Sequence, residues 1–72
     1  MKTAHYRIDG VNDVFRTLAE AKHHVWIAYT QRERRQYLHG CSIVRVENEE
    51  VVSTTPIIVE DETYRFGKTV RL

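Results

Sequence analysis

Asp9-Gly10, set between Ile8 and Val11, restricts the fold of this chain more than any other pair. Two-residue hairpin loops of the I′ kind need φ > 0 at both central positions, which favours Asp-Gly between apolar neighbours. Such a turn predicts a register in which Ile8 faces Val11, Tyr6 faces Asp13 and Ala4 faces Phe15. One face then carries Ala4, Tyr6, Ile8, Val11 and Phe15, with Asp13 as its exception. The other carries His5, Arg7, Asn12 and Val14. An apolar face backed by a polar one suits a sheet covered on one side.

A helix is predicted next. Thr17-Leu18-Ala19-Glu20 has the capping-box pattern, in which a threonine hydroxyl and a glutamate side chain satisfy backbone N–H groups reciprocally. Leu18, Ala21, Val25, Ala28 and Tyr29 follow at helical spacing and form one stripe, with Lys22 and Trp26 flanking it and Ile27 opposite. Val11, Val14 and Phe15 also fall on this stripe, so a helix beginning near Asn12 is the rival reading. The specific Asp-Gly pair, the β preference of Val-Phe and the cap at Thr17 favour the hairpin. A straight continuation would bring Arg32 and Gln36 onto the apolar stripe, and burying an unpaired arginine is costly. Thr30-Gln31-Arg32-Glu33 repeats the capping-box pattern, so the helix is expected to break near Thr30. A short helical piece over 31–38 would then be anchored by Tyr37 and Leu38 and stopped at Gly40.

From Cys41 onward the period is two. Strands are expected at Ser42–Val46 and Val51–Thr55, at Ile57–Val59 after Pro56, and at Thr63–Phe66, with Val70 and Leu72 as an extension. Pro56 would interrupt its strand, which suggests a sheet edge or a bulge. Polar turns fall at Glu47–Glu50 and Glu60–Glu62. The outline is an α+β, two-layer domain in which one main helix packs on an antiparallel sheet, in the order β-β-α-β-β-β. That order resembles, in topology, the small arm-type DNA-binding domains of phage integrases. The resemblance would imply a sheet face that meets nucleic acid, whereas the acidic turns at Glu47–Glu50 and Glu60–Glu62 would repel phosphate.

Size narrows the functional classes. Residues 1–72 suffice for a single domain, and a domain this small buries only ~60% of the surface its unfolded chain exposes. Cys41 is the only cysteine, so no intrachain disulfide assists, and one thiol fits a reducing, cytoplasmic setting. No apolar run approaches the ~20 residues of a membrane span, and MKTAHYRIDG lacks the apolar segment of a signal peptide. Net charge is +1. Residues 1–40 hold seven basic and four acidic side chains, and residues 41–72 hold four and six, a milder asymmetry than a dedicated nucleic-acid binder shows.

Two functional readings remain. The first is a non-enzymatic protein-interaction module, with a protein partner or self-association through a sheet edge or an apolar patch at Trp26 and Ile27. Ile27→Glu would then alter association. The second is a nucleic-acid-binding accessory protein that uses Arg7 and Asn12 on the polar sheet face, Arg45 and Arg65 if register brings them there, and Arg32, Arg34 and Arg35. The simpler account of those last three is a solvated helix end favoured by the macrodipole. His39 and Cys41, or the adjacent His23 and His24, lack zinc-ligand spacing, so neither a metal nor another cofactor is expected. No nucleophile elbow, P-loop or dinucleotide fingerprint occurs, and neither an enzyme nor a small-molecule ligand is inferred.

Overall fold

The computed structural model describes residues 4–60 and 63–72. β1 (Ala4–Ile8) and β2 (Val14–Phe15) form the expected hairpin in a different register. Tyr6 pairs with Phe15 and Arg7 with Val14. Asp9 causes the shift. Its N–H donates to the Ser42 carbonyl at 3.1 Å, and its Oδ2 accepts from the Ser42 N–H at 3.1 Å. Gly10 alone enters the left-handed region, at φ 78°, and the Val11 N–H closes on the Ile8 carbonyl at 3.0 Å. A single positive φ at the third position is the type II pattern, not I′. The register moves by two residues, so the paired side chains keep the faces expected of them.

The turn with both central residues left-handed is Asn48-Glu49, at φ 50° and 68°. It joins β3 (Ser42–Glu47) to β4 (Glu50–Val59), with Glu47 opposite Glu50. The edge is completed by β5 (Tyr64–Phe66) and β6 (Val70–Arg71). The sheet order is β2-β1-β3-β4-β5, with β6 also on β4, and every pairing is antiparallel. Of the turn expected at Glu60–Glu62, Asp61 and Glu62 lie outside the described residues. The Glu60 N–H donates to the Thr63 carbonyl at 2.8 Å.

Pro56 does not interrupt its strand, because β4 runs straight through it in the sheet interior. Its carbonyl accepts from the Gly67 N–H at 2.8 Å. In an antiparallel ladder a residue's N–H and C=O point to the same neighbour. The missing donor therefore faces the break between β5 and β6, and no ladder bond is lost. A Cβ on Gly67 would lie 2.6 Å from Pro56 Cγ, so glycine is required there for space.

α1 spans Leu18–Ile27, and Thr17 Oγ1 accepts from the Glu20 N–H at 3.1 Å. The Glu20 carboxylate reaches the Arg16 N–H at 2.9 Å, one residue beyond the cap. The helix breaks at Thr30 as expected. Thr30 and Glu33 form a complete capping box on the short α2 (Gln31–Glu33), which continues as a π-helical turn over Arg34–Leu38. Of the two residues expected to anchor this segment, Leu38 is buried and Tyr37 is exposed. Ala28, expected on the buried stripe, is the exposed C-cap of α1.

Cross-strand partners share a face, which separates the two sides of the sheet. Ile8, Ile43, Ile57 and Val59 join Ala21, Val25 and Leu38 in the core, so this side lies under the helices. Tyr6, Phe15, Tyr64 and Phe66 pack around it. No helix among the described residues is long and apolar enough to cross a membrane.

Candidate interaction surfaces

The opposite side of the sheet carries His5 and Arg7 from β1, Val14 from β2, Val44 and Val46 from β3, and Thr54 and Ile58 from β4. Arg65 and Val70 extend it at the edge. A β-bulge between Arg45 and Val46 sets Val46 opposite Val51, which adds another valine here. None of the helices among the described residues packs on this side. Val44, Val46 and Val51 floor a groove of about 570 Å³, flanked by His5, Arg7 and the Gly10–Asn12 loop, with Glu49 also lining it. Val14, Val51 and Val70 are exposed, Val51 at 45%.

This apolar floor was not anticipated, because the hairpin alone makes the face read as polar. The signal lay in Ile43-Val44-Arg45-Val46: a strand with apolar residues on both alternating sets has two apolar faces. Within that pattern Arg45 falls on the helix side, opposite Tyr6, and does not join Arg7. Its Nη1 donates to the Tyr6 hydroxyl at 2.8 Å, and its Nε lies 3.5 Å from Glu47 Oε2. Arg65 does share the open face, in an ion pair with Glu60 at 3.1 Å.

The arginines of the 30–37 stretch have different surroundings. Arg34 is 6% exposed. Its Nη1 donates to the carbonyls of Val25 and Trp26, at 3.2 and 3.3 Å, and to that of Tyr29. These carbonyls lie in and just past the last turn of α1, where a cation complements the macrodipole and unpaired acceptors need donors. The guanidinium also lies 4.4 Å from the Tyr64 ring centroid and 5.4 Å from that of Trp26. Arg34 thus closes the C-terminal end of α1 from inside and does not face solvent. Arg32 and Arg35 are exposed, and Arg7 and Asn12 are exposed on and beside the open face.

Trp26 and Ile27, the apolar patch expected from sequence, are 61% and 63% exposed. Trp26 is partly engaged with Arg34, whereas Ile27 lies outside the core cluster. His24 is held between aromatic rings, 5.0 Å from Phe15 and 5.9 Å from Tyr29, centroid to centroid. The Cys41 thiol donates to the Tyr37 carbonyl at 3.4 Å, and burial, then the Asp9 charge, pushes its pKa up. A reactive cysteine needs the opposite shift. Among the described residues no three His, Cys, Asp or Glu side chains converge as metal ligands do.

Comparison with protein-family models, curated proteins and solved structures found no match for this chain.

Proposed function

We propose that this chain is a non-enzymatic protein-interaction module, acting in the cytoplasm, that receives a protein on the open face of its sheet. The supporting observation is the valine floor of the groove, in which Val51 is exposed, Val44 half-buried and Val46 buried at its base, on a side of the sheet that none of the described helices covers. Apolar surface rimmed by polar residues is what protein interfaces bury. The single thiol, partly buried, supports the reducing compartment. The nucleic-acid alternative draws on scattered side chains: Arg7 and Asn12 at the open face with Arg65, which is paired to Glu60, Arg45 on the helix side, Arg34 inside, and Arg32 and Arg35 on the short helical piece. A phosphate backbone needs its cations along one track.

Photo-crosslinking in expressing cells tests the reading. A crosslinking side chain at Val51 is expected to trap a discrete protein, identified by mass spectrometry. The same group at exposed Ala19, on α1, is expected to trap none. No Val51-dependent adduct would refute the reading. DNA-induced amide shifts at Arg7, Arg32 and Arg35, present at about 50 mM salt and fading by about 200 mM, would install the nucleic-acid alternative.

A further inference from the structure

The open face bears charges arranged along the strand direction. The pairing of Ala4 with Glu47 puts the β3–β4 turn, and hence Glu49, beside the start of β1. Arg7 lies three residues further along β1, opposite Val44, roughly 10 Å away at the rise of a strand. The groove therefore has Glu49 at one end, Arg7 towards the other and valines between; Asp9 also lines the Arg7 end, its carboxylate held by the Ser42 N–H.

From this arrangement we infer that the occupant of the face is a second copy of this chain, docked sheet to sheet in a four-layer helix-sheet-sheet-helix dimer. The inference rests on the interaction reading above and names its partner. A two-fold interface must be complementary to itself. A two-fold axis lying between the sheets and perpendicular to the strands reverses the strand direction of the second copy. Glu49 of each copy then meets Arg7 of the other, and the Val44, Val46 and Val51 floors meet at the centre. Neither side chain is engaged within its own chain: those of Arg7 and Glu49 make no hydrogen bond or ion pair with the described residues. Sheets packed in this way align within about 30° and bury their apolar faces together. For so small a domain, the dimer also supplies the apolar burial that one copy lacks.

Charge exchange tests this directly. Sedimentation equilibrium of the wild-type chain should give twice the chain mass in the micromolar range. Arg7→Glu and Glu49→Arg should each give monomer, since each sets like charges together at both contacts. Mixed in equal amounts, the two variants should restore a dimer containing one of each, because both contacts are then opposite in sign. Val51→Glu should also give monomer, with a dispersed amide spectrum showing that the fold persists. A wild-type monomer at every concentration overturns the inference, as does a dimer unaffected by all three substitutions. The Val51 crosslink separates the two levels. A monomer that traps a different protein removes the second copy and keeps the interaction module. A monomer that traps nothing removes both.

Discussion

Arg34 carries a positive charge into the interior with no carboxylate of the described residues among its contacts. Three carbonyl oxygens and two aromatic faces hold it, while its Nε has no partner among the described residues. Hydrogen bonds to charged groups contribute about 1.5–3 kcal/mol, and removing the donor also strands the carbonyls it satisfied. Arg34→Met is therefore expected to lower unfolding stability by about 2–3 kcal/mol in urea titration, on that scale. Arg32→Met, on exposed surface, should change it by less than about 0.5 kcal/mol. Equal effects would contradict the buried role. From sequence, three arginines in four positions look alike. What separates them is the π-helical turn that swings Arg34 back under α1, and nothing in residue type reports that turn. Gly67 is a second such case. Gly67→Ala should cost about 1–3 kcal/mol by overpacking against Pro56, the more so because a proline ring cannot swing aside.

At the level of elements, the signals with a local mechanism were legible. The cap at Thr17, the break at Thr30 and the stop at Gly40, whose φ is 81°, each follow from chemistry within a few residues. Hairpin register was less legible, because it was decided by a contact across the sheet. Neighbours in sequence make Asp9 half of a tight turn, but Ser42, distant in sequence, takes both its backbone and its carboxylate. The demanding turn fell instead to Asn48-Glu49. Glu49, a residue with a Cβ, adopts the left-handed conformation at a cost of about 1–2 kcal/mol. In the monomeric Val51→Glu background, where no second copy meets Glu49, Glu49→Gly should accordingly raise stability by about 1 kcal/mol, seen as a later urea midpoint with an unchanged slope. The capping box at Thr30 makes an acid-side prediction. Hydrogen bonds from the Thr30 backbone and side chain hold the Glu33 carboxyl below its ordinary value of 4.5. A carboxylate with a depressed folded-state pKa stabilises above its unfolded value and loses that contribution as pH falls through the folded one. The stability difference between wild type and Glu33→Gln should thus be full at neutral pH and shrink below about pH 4.5. A difference constant down to pH 2 would show that the carboxylate charge adds nothing to the box, which a glutamine can also complete.

Across the whole molecule, the β-β-α-β-β-β order and the α+β class were readable because each follows from a change of period along the chain. The apolar outer face was not, since it depends on β1 and β3 becoming neighbours and on the bulge at Arg45 and Val46. If two copies share that face, unfolding becomes concentration dependent: the melting temperature should rise with protein concentration for the wild type and stay fixed for Val51→Glu. The sheet order 2-1-3-4-5 also implies a sequence of folding events. β3 and β4 meet across a two-residue turn, whereas β1 reaches β3 only after the whole stretch between Ile8 and Ile43 has been gathered in. Loop closure of that length delays pairing, so the C-terminal hairpin should already be formed in the folding transition state and the N-terminal strand should dock after it. Thr54→Ala would then chiefly slow folding and Ile8→Val chiefly hasten unfolding. On a ribosome β1 emerges before β3, so it would wait with β2 as its one strand partner and its other edge open until most of the chain had followed.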